Sequence, residues 1–338
     1  MFGLLRQCLM LFPPELSHRL ALWLLKYATR LGFFKSRHSK GRPKVCQVAG
    51  LAFDHPVGLA AGFDKNGDYI DALFSLGFSF VEVGTVTPRP QAGNPGPRLF
   101  RLRQDQAVIN RMGFNNKGID HLVNNVKRLR ARGPLKGLLG INIGKNATTP
   151  MHSAIDDYLI CFKKAYPLAD YITLNISSPN TKNLRELQNT RPLSALLGAL
   201  EQARLQLTPK DTTPVPLFVK LSPDLDESAI KRIAKVLVES CVDGVIATNT
   251  TISRLGLNHP HQSQQGGLSG RPLHLRSVEM VSCLASALQG KLPIIGVGGI
   301  LCAKDAKDFL NQGAALVQVY TGFIYHGPKL ISQIVNKC

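Results

Sequence analysis

The sequence predicts an α/β fold, a (β/α)8 TIM barrel with a short N-terminal helical extension, and three observations carry that expectation. From residue 56 onward, short β-rich runs alternate with helical patterns about eight times, which implies right-handed βαβ units and a parallel sheet. Eight such units over roughly 280 residues suit a closed barrel better than an open doubly wound sheet. Polar residues recur where the strand candidates end, which is where a barrel of this kind carries its chemistry.

The first 44 residues stand apart. They hold nine Lys and Arg against Glu15 alone, a net +8 out of the +19 carried by the 338-residue chain. Pro13 and Pro14 split the segment into two helical patterns. The first, 2–12, is apolar around most of its circumference. In the second, Leu16, Leu20, Trp23, Leu24, Tyr27 and Leu31 recur at helical spacing as an apolar stripe. The segment reads either as a helical pair packed on the main domain or as a basic amphipathic hairpin lying in a membrane interface. Gly41-Arg42-Pro43 reads as a linker, so the chain divides into an N-terminal segment, 1–44, and a barrel, 45–338.

Within the barrel the strand candidates are 57–61, 80–83, 138–143, 171–174, 217–221, 244–247, 294–297 and 316–319. Helical patterns occupy 70–76, 119–132, 154–165, 192–207, 227–240, 273–288 and 303–312, with a last one near 328–336. Segments 87–112 and 250–272 are too long for ordinary connections and read as functional loops. The strand ends run, in order, into Phe63-Asp64-Lys65-Asn66, Gly84-Thr85, Asn142, Asn175 to Asn180, Lys220 to Pro223, Thr248 to Thr251, Gly298-Gly299 and Tyr320-Thr321-Gly322.

Composition narrows the function. With 44% hydrophobic and 19% charged residues, the chain can bury a large core and is not disordered. No apolar run approaches the roughly 20 residues that span a bilayer. The basic excess suits a polyanion, either nucleic acid or an anionic membrane surface. Seven scattered cysteines with no C-x-x-C pair argue against zinc and disulfides and for reduced thiols, most of them buried as small apolar residues. No metal site is expected. Arg6 and Gln7 interrupt the N-terminal apolar stretch, so no signal peptide is expected.

The glycines after strands seven and eight match the phosphate site of this fold, where backbone N–H groups and a helix start hold a dianion. Gly266-Gly267-Leu268-Ser269-Gly270 could close over it. Lys65 and Lys220 should face the barrel mouth, as solvated cations, as partners for an electron-rich ring, or as an aldolase-type lysine. Asn110, Asn175, Asn180 and Asn249 each offer a donor and an acceptor. Converging, they would suit a planar heterocycle such as a pyrimidinedione.

Taken together, several runs resemble the dihydroorotate dehydrogenase family. They are Leu59 to Gly67 (LAAGFDKNG), Gly84 to Pro88 (GTVTP), Asn110 to Asn115 (NRMGFN), Asn142 to Asn146 (NIGKN), Asn175 to Thr181 (NISSPNT) and Gly266 to Gly270 (GGLSG). The resemblance covers nearly the whole chain. The N-terminal helical pair, and Ser178 where the soluble class 1 enzymes carry a cysteine base, are similar to the quinone-dependent, membrane-associated class 2 branch.

The resemblance implies an FMN enzyme that oxidises (S)-dihydroorotate to orotate in pyrimidine synthesis. Ser178 would take the proton from C5 while hydride leaves C6 for flavin N5, with Thr181 and Phe114 lining the proton relay. Lys65, Asn110, Arg111, Met112, Gly113, Phe114, Asn180, Asn249 and Thr250 match substrate-binding positions. Ala61, Gly62, Phe63, Asp64, Lys65, Thr85, Asn142, Asn175, Lys220, Thr248, Gly270, Gly299, Tyr320 and Thr321 match FMN positions. His18, Arg101 and Tyr320 match positions near the inner end of a quinone tunnel. The partners implied are dihydroorotate and orotate, a membrane quinone and an anionic membrane surface, with no nucleic acid. The expected form is a monomer, peripheral on the cytoplasmic face of a bacterial inner membrane. A tRNA-dihydrouridine synthase would share the FMN barrel and the basic charge. It would also add a C-terminal RNA-binding domain and a cysteine acid, where this chain has Ser178 and ends soon after the barrel. A non-catalytic membrane-surface protein would have no use for Ser178, two lysines and four asparagines at these positions.

Overall fold

The computed structural model describes residues 7–33 and 45–338. Helix α1 (Pro14–Arg30) is followed by a small antiparallel hairpin, β1 (Cys46–Val48) and β2 (Leu51–Phe53). Eight parallel strands then close into a barrel: β3 (Val57–Leu59), β4 (Phe80–Val86), β7 (Leu138–Ile143), β8 (Tyr171–Asn175), β9 (Leu217–Leu221), β10 (Gly244–Ala247), β12 (Ile294–Val297) and β13 (Ala314–Val319). Four of the eight expected strands have the boundaries read from the sequence, and the other four shift by one to three residues at an end. The runs are legible because a strand covered on both faces is apolar throughout.

Helices α2 (Ile70–Phe74), α3 (Ile119–Arg130), α4 (Ala154–Ala165), α5 (Thr190–Leu207), α6 (Glu227–Val238), α7 (His274–Leu288) and α8 (Ala303–Asn311) fill the connections. The chain ends with α9 (Thr321–His326) and α10 (Lys329–Val335). The sequence reading missed α9, which has only six residues.

Glycine and aromatic residues build the lower barrel interior in pairs. Gly58 is in register with Phe80, Gly140 with Tyr171, and Gly244 with Phe218. A Cβ on each glycine would lie 2.2–2.3 Å from the paired ring. The missing side chain on one strand is therefore the space the ring on its neighbour fills. Phe53 closes the layer from below, edge-on to Phe80 at 5.1 Å.

The two long segments differ from expectation. They hold β5 (Leu99–Leu102), β6 (Ala107–Asn110) and β11 (Gly267–Gly270), which form a three-stranded antiparallel sheet in the order β11-β6-β5. Four-residue strands reading LFRL, AVIN and GLSG carry almost no local β signal. What stabilises them is pairing across a long stretch of chain, Gly267 with Asn110.

Helix α1 docks through buried Leu22 and through Lys26 Nζ, which donates to the Asp68 carbonyl at 3.0 Å. Most of its expected stripe turns outward: Leu16, Trp23, Tyr27 and Leu31 are exposed, while Leu20 and Leu24 are half-buried. The first helical pattern, 2–12, lies partly outside the described residues. No described helix is long and apolar enough to cross a membrane. The expectation that most cysteines are buried is corrected: all seven are free, and only Cys161 is buried.

Candidate active site

A cavity of about 2150 Å³ occupies the barrel mouth and continues beneath α1 to Leu9 and Met10. The loop after β3 contributes Ala61, Gly62, Phe63 and Lys65; β4 contributes Thr85, β8 Asn175, and β9 Lys220. Thr248, Gly270, Gly299, Tyr320 and Thr321 complete this wall. Asn110, Met112, Gly113, Phe114, Ser178, Asn180, Asn249 and Thr250 line the cavity as well. His18 and Arg101 line the outer end. Thus the structure brings together all but four of the site residues expected from the sequence.

The four exceptions are set back. Asp64 is buried and accepts from the backbone N–H groups of Asn66, Asp68 and Tyr69 at 3.2, 3.1 and 2.7 Å, which shapes the turn that presents Lys65. Burial pushes its carboxyl up to about 6 against those three donors. Asn142 sits one layer down, donating to Glu82 at 2.7 Å. Arg111 points outward: its guanidinium lies over Phe100, 4.9 Å from the ring centre, and donates to Gln264 at 2.9 Å. Thr181 is buried with no partner for its hydroxyl among the described residues.

The asparagines do converge. Asn180 Nδ2 donates to the Asn110 carbonyl at 3.1 Å, and Asn249 Nδ2 donates to Asn175 Oδ1 at 3.2 Å. The stretch leading to Phe114 turns through a left-handed backbone, with φ +68° at Gly113 and +52° at Phe114. A bulky residue held there is uncommon and marks a functional segment. Ser178 is buried, and its Oγ accepts from the Asn180 N–H at 3.2 Å.

Lys65 Nζ donates to Asn115 Oδ1 at 2.5 Å. Burial first, then the nearby Arg98 charge, lower its pKa from 10.5 to about 7. Between those two values the unfolded chain holds a proton that the folded chain has released, so stability rises with pH across that window. Below it both states are protonated and the cost of burying the ammonium is fully present. Lys65→Met should therefore flatten this rise in the flavin-free chain and stabilise it most at the acidic end. Urea unfolding at a series of pH values checks this, and an unchanged slope would contradict it.

At the outer end, His18 Nε2 donates to the Phe63 carbonyl at 2.8 Å. Burial and the Lys65 charge push its pKa down to about 4, so the ring is neutral near pH 7. Phe63 packs edge-on against His18, Tyr320 and Phe323 with ring centres 4.9, 5.6 and 5.4 Å apart. Arg101 donates to Met10 Sδ at 3.0 Å and to the Phe12 carbonyl.

Three contributors escaped the sequence reading. Glu15 and Arg98 pair at 2.7 Å and hold α1 on the barrel, while Arg98 also donates to the carbonyls of Ala92 and Asn94. Glu15 is the sole acid of the first 44 residues, a signal that could have flagged it. Nothing in the Arg-rich run 98–103 distinguishes Arg98. Glu82, a fully buried acid flanked by Val81 and Val83 in β4, was readable as an interior charge.

The residues present fit a phosphate-bearing, polar ring system. Gly299 has φ +75°, and a Cβ there would lie 2.6 Å from His274. The start of α9 has no side-chain cap among the described residues, which leaves its first amides available to an anion. Lys220 supplies a buried cation, and Gln318 Oε1 is a buried acceptor with no partner among the described residues, in a side chain that lines the cavity.

Comparison with known proteins agrees with this geometry. The family profile described as dihydroorotate dehydrogenase matches residues 45–338. Over 337 residues the chain is 52% identical to dihydroorotate dehydrogenase (quinone) of Nitrosospira multiformis, covering 99% of this chain and 95% of that one. It is 52% identical to the protein of the same name from Chromobacterium violaceum, covering 98% and 96%. The ligand-free dihydroorotate dehydrogenase structure from Eimeria tenella matches with a TM-score of 0.89 at 39% identity, covering 96% of this chain and 93% of that one. Identity of this extent over nearly the whole chain, with the family profile matched across the barrel, places the chain in the dihydroorotate dehydrogenase family.

Proposed function

We propose that this protein oxidises (S)-dihydroorotate to orotate on bound FMN and passes the electrons to a membrane quinone. The observation that carries the reading is the continuity of one cavity from the asparagine-lined pocket at Ser178 to an outlet beneath α1. Both half-reactions can then share one flavin without exchanging positions.

FMN supplies the hydride acceptor and the two-electron reservoir that no side chain offers. The chain does the rest. Gly270, Gly299, Thr321 and the uncapped start of α9 would hold the phosphate, and Thr85, Asn175, Lys220 and Thr248 the ring. Asn110, Asn180, Asn249 and Thr250 would orient the pyrimidine through its alternating C=O and N–H groups. Lys65 would face its negative charge. Ser178 Oγ would take the C5 proton, and because a free serine is a weak base it needs an outlet for that proton. The unpartnered Thr181 hydroxyl, with Phe114 beside the site, suits a bound water that carries the proton away.

At the other end His18, Arg101 and Tyr320 would bind the quinone head. The outward-facing Leu16, Trp23, Tyr27 and Leu31, with the exposed Arg19 and Arg30 of α1, suit a peripheral seat on an anionic membrane. The division at residue 44, a monomeric state and the cytoplasmic face of a bacterial inner membrane complete the reading.

Stopped-flow mixing tests both halves. The purified protein should be yellow, bleach with dihydroorotate under anaerobic conditions, and recover its colour with a quinone analogue but not with NAD or fumarate. A colourless protein would overturn the first half, and bleaching without quinone reoxidation the second.

A further inference from the structure

We infer that Glu82 is a positioning residue whose carboxylate sets the hydrogen-bond direction of the side chains that seat the flavin and the substrate; the inference rests on the flavin reading above. Glu82 lies inside the barrel on β4, in register with Gly140 just above the aromatic layer, and is 0% exposed. It receives Asn142 Nδ2 at 2.7 Å on Oε1, and Gln318 Nε2 at 2.8 Å and the Tyr171 hydroxyl at 3.2 Å on Oε2.

A carboxylate only accepts, so it forces each neighbour to present a donor downward and whatever remains upward. Asn142 must turn its amide nitrogen to Glu82, which leaves Oδ1 to accept from Thr85 Oγ1 at 2.6 Å. With its hydrogen committed, the Thr85 oxygen accepts from Asn175 Nδ2 at 2.8 Å. Asn175 Oδ1 then faces the cavity side, where it accepts from Asn249 Nδ2 at 3.2 Å. The upper end agrees independently. The Ser177 backbone N–H, which can only donate, also points to Asn175 Oδ1, at 3.3 Å.

Gln318 obeys the same logic. Its nitrogen is taken by Glu82, so Oε1 is left as an acceptor with no partner among the described residues, in a side chain that lines the cavity. Glu82 is also the negative charge that supports the Lys220 ammonium against burial. Without the acid, the Asn142 and Gln318 amides could turn over, and the donor and acceptor pattern offered to the ring would no longer be single-valued.

The test is a double-mutant cycle on the flavin-loaded protein, reading FMN dissociation by fluorescence and the midpoint potential of the bound flavin. Glu82→Gln and Asn142→Asp should each weaken FMN binding by about tenfold or more, as loss of a hydrogen bond to a charged group does. Glu82→Gln should also raise the potential, because a negative charge near the electron acceptor is gone. In the double variant the new glutamine can donate to the new aspartate, whose other oxygen still accepts from Thr85. That variant should recover most of the affinity lost in Asn142→Asp. If a single variant does not fold, recovery of folding in the double variant counts the same way. Wild-type affinity and potential in Glu82→Gln would overturn the inference. So would a double variant that binds FMN no better than Asn142→Asp, or that fails to fold. A wild-type protein that takes up no FMN would instead overturn the flavin reading itself, and the inference with it.

Discussion

Replacing Ser178 by alanine should slow bleaching of the flavin by dihydroorotate by roughly 10²–10⁴-fold, the usual worth of a positioned general base. Reoxidation by a quinone analogue should be unchanged. The side chain is small and buried, and it is held by one hydrogen bond from the Asn180 N–H at 3.2 Å. The substitution therefore removes the oxygen with little repacking, and Asn180 keeps its side-chain bonds to Asn110. Separate traces for the two half-reactions make the outcome specific: a base on the dihydroorotate side moves only the first. Wild-type bleaching in the variant would remove Ser178 from the chemistry.

Deletion of residues 1–40 should abolish vesicle binding and reduction of membrane-borne quinone while FMN stays in the barrel. The segment carries the outward apolar face of α1 and most of the N-terminal basic charge. Each Lys or Arg near an anionic surface is worth about 1 kcal/mol, so losing several shifts partitioning by orders of magnitude. The same deletion removes His18 and Glu15, unpairing Arg98 and opening the outer end of the cavity. The flavin-side residues come from the barrel and its covering sheet, which keep their own core. Vesicle flotation and quinone turnover of the truncated protein decide the matter, and normal turnover would refute the tunnel assignment.

Much of the candidate site was legible because chain order maps simply onto a barrel. The C-terminal ends of parallel strands all emerge on one side, so Lys65, Thr85, Asn175, Thr248 and Thr321 group together from chain order alone. Other features depended on partners remote in sequence. The pairing of β11 with β6 joins Gly267 to Asn110, and no local pattern announces it. The outward turn of the α1 stripe depends on what the barrel leaves exposed: Leu22, absent from the expected stripe, is the apolar residue that is buried, together with Ser17.

By itself the sequence determined the eight-unit barrel, the basic N-terminal appendage, the family resemblance and the set of polar residues at the strand ends. Only the tertiary structure decided how far down the barrel each of those residues sits. Asn142 and Asp64 support the wall rather than line it, Arg111 faces away, and Glu82 directs the chain from below. The physical reason is that a strand's two-residue period says which side chains share a face. Which face turns inward, and at what height, follows from closure of the sheet and from the glycine and aromatic pairs that fill its floor.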